Sequence, residues 1–311
     1  MYRNCRTTRR VYVALQIARV FAILLLSASL SAIAADSGII APGATVEKLA
    51  DGFKFTEGPA ADAAGNVYFT DQPNDRILKW STDGKLSTFL EPCGRSNGLF
   101  FDSQGQLWAC ADEKNELWRI DPQGRHTAVV KDYEGKLFNG PNDLWIRPDG
   151  GIYFSDPFYK RAYWNRGPKE QDVAVYYLSP DRKKLVRVAD DLTQPNGLIG
   201  TPGGQKLYVA DIGAKKTYVY SIQPDGTLTD KTLFCEMGSD GMTIDDRGNV
   251  YLTGKGVTVF DAAGKQIEQI PVPEGWTANV CFGGADHRTL FITASRSLYG
   301  LRMQVRGAGS Q

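Results

Sequence analysis

The chain has 311 residues, 42% hydrophobic and 23% charged, which is enough apolar material for one large core and too much for a disordered chain. Its 36 basic and 35 acidic side chains leave a net charge of +1. A surface that neutralises nucleic-acid phosphates needs a basic excess, and none is present.

The first 34 residues differ from the rest. Arg3, Arg6, Arg9, Arg10 and Arg19 form a positive start without acids, residues 20–34 are apolar or small, and Ala32-Ile33-Ala34 has the pattern of a cleavage site. This predicts a secretory signal peptide over 1–34 and an exported protein, periplasmic or secreted. Ser27, Ser29 and Ser31 interrupt the run, so it suits cleavage better than a retained anchor. No later stretch is apolar for long enough to span a bilayer, so no membrane partner is expected after cleavage. Residues 35–45 read as a linker, 46–306 as the folded domain and 307–311 as a tail. Cys93, Cys110, Cys235 and Cys281 remain after cleavage. Their spacing fits no zinc pattern and leaves buried thiols and one disulfide both open.

From residue 46 onward, short strand-like runs alternate with turns such as Asp62-Ala63-Ala64-Gly65, Pro148-Asp149-Gly150 and Asp245-Asp246-Arg247-Gly248. Asp, Pro and Gly supply the bends that hairpins need, and the runs between them are rich in Val, Tyr, Phe and Thr. No long 3.6-residue apolar period occurs, which predicts an all-β domain. A polar residue opens each repeat: Glu57, Asn97, Asn142, Asn196, Asp240 and Asn279, spaced 40, 45, 54, 44 and 39 residues apart. Six units of about 40 residues, each with several strands, predict a six-bladed β-propeller. Residues 46–49 are expected to close the ring by pairing with the last strand, within 298–305.

The six polar residues should begin the innermost strands and converge on one end of the channel. Two carboxylates and four amides, without His or Cys, offer hard oxygen ligands suited to calcium or magnesium. Asn, Asp and Gly there could merely shape bends. A purely structural repeat, however, gives no reason for Glu57 and Asp240 to depart from Asn. His126 and His287 lie outside these motifs, which disfavours a Ser-His-Asp hydrolase. The longest step contains the insertion 158–172, with Tyr159, Arg161, Tyr163, Trp164 and Arg166, a candidate lid. Asp143 is read either as orienting Asn142 or as satisfying backbone groups.

Glu57-Gly58-Pro59, Pro141-Asn142-Asp143, Tyr153-Phe154-Ser155-Asp156-Pro157, Pro195-Asn196-Gly197 and Asp240-Gly241-Met242 together resemble the gluconolactonase / senescence-marker-protein / luciferin-regenerating-enzyme family. The resemblance runs through nearly the whole chain after residue 46. It implies one divalent cation, calcium expected and magnesium, manganese or zinc possible, held by Glu57, Asn142, Asn196 and Asp240. It also implies hydrolysis of a small sugar lactone, with Asp240 as general base or, alternatively, as nucleophile. Asn97, Asn279, Tyr159 and Trp276 are candidate substrate contacts. Three alternatives stand beside this reading. They are hydrolysis of another ester or phosphorus ester at the same metal site, a non-enzymatic ligand-binding propeller, and a metal-free enzyme of the strictosidine-synthase kind.

Overall fold

The structure is a computed structural model and describes residues 37–309. The expected signal peptide lies outside the described residues. Six four-stranded antiparallel sheets succeed one another along the chain. Their innermost strands are Thr56–Ala61, Leu99–Phe101, Leu144–Ile146, Pro195–Gly200, Met242–Ile244 and Thr277–Gly283. Five blades are simple meanders. The sixth takes its outer strand, Glu47–Asp51, from the start of the domain, paired antiparallel with Ser297–Arg302. This is the expected six-bladed β-propeller, with its ring closed by pairing the first strand of the domain with the last. A two-stranded ribbon, Asp132–Tyr133 with Lys136–Leu137, is added between the second and third blades.

Burial follows the position of each strand in its blade. The second strands Val67–Asp71, Leu107–Ala111, Ile152–Asp156 and Val250–Gly254 are buried along their whole length, because each is covered on both faces by neighbouring blades. The outer strand Leu86–Leu90 is largely exposed. Aromatic side chains fill the gaps between sheets. Trp145, Tyr153, Tyr177, Tyr208 and Phe234 belong to one apolar cluster, and the Tyr153 hydroxyl crosses to the next blade to donate to the Gly226 carbonyl at 2.8 Å.

Residues 37–45 and 307–309, read from the sequence as linker and tail, are packed onto the domain. Ile39 is buried, the Gln304 amide donates to its carbonyl at 2.8 Å, and Ile40 bridges Met303. The Ala308 amide donates to the Ile244 carbonyl at 3.0 Å. Cys93, Cys110, Cys235 and Cys281 are all buried free thiols, which settles that alternative against a disulfide.

Candidate active site

A repeated device holds the inner strands at the channel mouth. The aspartate that ends the second strand accepts hydrogen bonds from the amides three and two positions before the ring residue of its own blade. Asp71 takes Lys54 and Phe55 at 3.0 and 3.3 Å, Asp156 takes Asn139 and Gly140 at 2.9 Å each, and Asp211 takes Thr193 and Gln194 at 2.7 and 2.9 Å. A carboxylate holding two amides fixes the loop, and with it the side chain that follows.

The second blade breaks this pattern. The Asn97 amide donates to the Cys110 carbonyl, whereas the Asn142 amide donates to that of Ser155. Ala111 therefore occupies the place of Asp156, and Asp112 lies one residue further on, pointing elsewhere. Asp75 anchors the loop instead, accepting from Cys93 and Arg95 at 3.0 and 2.6 Å. Asp112 is left to accept from Gln72 Nε2 at 3.1 Å and to pair with Arg166.

Glycine follows four of the six ring residues because adjacent inner strands nearly touch there. A Cβ on Gly58 would fall 2.0 Å from the Asn97 carbonyl oxygen, and one on Gly241 would fall 1.9 Å from Asn279 Cγ. In the third blade Asp143 takes the glycine's place and reaches into the channel. Its carboxylate accepts from the Leu144 amide at 2.9 Å, and the Leu198 amide and the Asn279 side chain also bond to it. Asp143 thus satisfies backbone groups and ties three blades together. Burial drives its carboxyl up to about 8.

Glu57, Asn97, Asn142, Asn196 and Asn279 are buried, and Asp240 is partly buried. Asn196 Nδ2 donates to Asp240 Oδ1 and to the Tyr159 hydroxyl, each at 2.8 Å. Trp276 Nε1 donates to Asp240 Oδ2 at 2.6 Å, and Glu57 Oε2 accepts from the Gly58 amide at 3.0 Å. The structure thus brings Asn196, Asp240, Tyr159 and Trp276 into one chain of contacts. Asn279 is instead engaged by Asp143 and by the Val280 amide. Asn97 keeps Nδ2 buried without a partner.

Two carboxylates share the ring, with Arg161 as the cation that acts on both. Burial pushes the Glu57 carboxyl well above its usual range, and repulsion from Asp240 adds to the effect. Asp240 is raised by burial too, against the pull of Trp276, Arg161 and Asn196. Among the described residues neither carboxylate forms an ion pair, and Asn196 Oδ1 is a buried acceptor with no donor. No three His, Cys, Asp or Glu converge among the described residues, so an ion here would depend on amide oxygens as well as the two acids. Such a donor set suits a hard divalent cation.

The insertion 158–172 leaves the third blade and makes contacts with the first, second and fourth. Tyr159 meets Asn196, and the Tyr163 hydroxyl donates to Gln72 Oε1 at 2.6 Å. The Arg166 guanidinium binds the Asp112 carboxylate and the Asn139 carbonyl, and donates to the Asp112 carbonyl at 2.9 Å. Arg95 lies over the rings of Tyr163 and Trp164. Sequence reasoning did not single out Gln72 or Asp112. The available signal was spacing, because Asp112 comes four positions after Trp108 whereas Asp156 comes three after Tyr153. Both histidines are remote from the ring: His126 stacks on Trp118 in the second blade, and His287 faces the Ala63 carbonyl.

Residues 55–296 match the family profile described as the SMP-30/Gluconolactonase/LRE-like region. The chain belongs to this family. The matched region includes all six ring positions of this SMP-30/gluconolactonase family member. A Gluconolactonase of Zymomonas mobilis is 32% identical over 293 residues, 84% of this chain and 82% of the relative. A solved structure from Xanthomonas campestris, described as a gluconolactonase, superposes with a TM-score of 0.80 at 32% identity, over 85% of this chain and 91% of that one. A regucalcin from Agrobacterium tumefaciens, described as a calcium-binding protein, has a TM-score of 0.72 at 19% identity, over 84% and 94% of the two chains, and shares the fold.

Proposed function

We propose that this protein hydrolyses sugar lactones at one divalent cation, calcium by preference, held by Glu57, Asn142, Asn196 and Asp240. The observation that carries this reading is the juxtaposition of two desolvated carboxylates with the unpartnered Asn196 Oδ1; Arg161 pulls on both acids but is ion-paired to Asp112 instead. The gluconolactonase names of its relatives supply the substrate class. A relative in fold described as calcium-binding supports the choice of ion.

A bound divalent cation supplies Lewis acidity toward the lactone carbonyl. The remaining chemistry falls to side chains. Glu57, sealed and bonded to the Gly58 amide, serves as a fixed ligand. Asp240 is the more accessible acid, and Asn196 and Trp276 orient its two oxygens. Asp240 accepts a proton from water as the water oxygen bonds to the carbonyl carbon. The bond from that carbon to the ring oxygen then breaks, and the proton passes to the ring oxygen, giving a hydroxy acid. Export is part of the proposal and rests on the sequence of residues 1–34.

Asp240→Asn tests the assignment. It keeps the shape and the Asn196 contact but removes the base, so kcat/KM on glucono-1,5-lactone should fall by about 10² or more with the circular dichroism spectrum unchanged. Near-normal turnover by this variant would contradict the role given to Asp240.

A further inference from the structure

The hydrogen atoms at the ring can be assigned one by one. Asn196 Nδ2 carries two, and both are spent, one on Asp240 Oδ1 and one on the Tyr159 hydroxyl oxygen, at 2.8 Å each. The amide cannot be turned round, because that would set its oxygen against a carboxylate oxygen at the same distance. An amide nitrogen only donates, so Tyr159 is the acceptor in this contact. Its own hydroxyl hydrogen is therefore directed elsewhere, and no acceptor for it occurs among the described residues.

That hydroxyl is held in place. Arg161 stacks on the Tyr159 ring with its guanidinium 4.5 Å from the centroid, and a cation on the ring face favours donation by the phenol. Arg161 is itself kept near the ring by Asp112, 3.7 Å away. Tyr159 begins the insertion directly after Pro157-Phe158, where the third blade hands over to the covering segment. Trp276, the other polar aromatic at the site, has already spent its single hydrogen on Asp240.

Resting on the lactonase reading above, we infer that Tyr159 is a further catalytic residue, whose hydroxyl donates a hydrogen bond to the lactone ring oxygen as its bond to the carbonyl carbon breaks. Negative charge gathers on that oxygen before the proton taken by Asp240 reaches it. A preplaced donor stabilises the charge at that moment and keeps its own proton throughout, so no further reactant is needed. Tyr159 and Asp240 are each one hydrogen bond from Asn196 Nδ2, so the base and this donor flank the same small space.

The test is Tyr159→Phe in the full mature protein, assayed with saturating calcium on glucono-1,5-lactone and on dihydrocoumarin, with calcium affinity measured by calorimetry. Loss of the donor should lower kcat on the sugar lactone about 10²-fold, with KM and the calcium Kd within about threefold of the parent. The loss should be much smaller on dihydrocoumarin, whose phenolic leaving oxygen is far less basic and depends less on a donor. An unchanged kcat overturns the inference. So does an equal loss on both lactones, or a calcium affinity that falls in step with activity, which would make Tyr159 only a prop for Asn196. Each of these leaves the lactonase reading intact, whereas a parent protein inert toward both lactones overturns the two together.

Discussion

Glu57 and Asp240 share a poorly solvated space in which burial raises both carboxyls and the charge of Asp240 raises Glu57 further. A metal ligand must be deprotonated, so protons compete with the ion for these groups. Because both carboxyls are raised, the competition extends above the ordinary carboxylate range. Calcium affinity should therefore keep strengthening as pH rises above the ordinary carboxylate range, by up to about tenfold per pH unit for each proton displaced. Glu57→Gln should weaken binding and reduce that slope. Calorimetric titrations in buffers of different ionisation enthalpy measure both the Kd and the protons released. A Kd independent of pH would contradict the proposed ligand set.

At the scale of the strand, the ring depends on backbone approach as much as on ligands. Gly58 has a φ of +35° and the Asn97 carbonyl beside it, so Gly58→Ala forces strain and displaces a neighbouring inner strand. Gly105 has a φ of +74° but open space around it. Urea denaturation should show a loss of about 3 kcal/mol for Gly58→Ala and about 1 kcal/mol for Gly105→Ala. Equal losses would mean that the inner strands are not closely packed at Gly58. Much of this was legible in the sequence. Glu57, Asn97, Asn142, Asn196, Asp240 and Asn279 each head an inner strand or the turn into one, because a propeller repeats the same element at the same offset. Two features were not legible. Asp112 resembles Asp71 and Asp156 in the chain, yet it sits one register position away, and a one-residue shift along a strand turns a side chain to the other face. Asn279 matches the ring spacing, but Asp143 claims its side chain from the opposite side of the channel, a contact between residues 136 positions apart.

For the whole molecule, closure of the ring was readable because the sixth repeat lacks a fourth strand while an unclaimed strand precedes the first. The packing of Ile39 and Ala308 was not, since short segments of mixed composition carry no period that betrays where they dock. The same is true of the covering insertion. Its length and aromatic content were visible, but its attachment to Gln72, Asp112 and Asn196 arises only when three other blades are placed around it. Family membership and fold agree with the sequence reading of a propeller.

The most direct test follows hydrolysis of glucono-1,5-lactone by the protein, first as purified, then after exhaustive chelation, then after calcium is returned. Rapid ring opening is expected, with loss of nearly all of it on chelation without unfolding, and recovery with about one equivalent of calcium per chain. Undiminished hydrolysis in the chelated protein would contradict the proposed role of the ion.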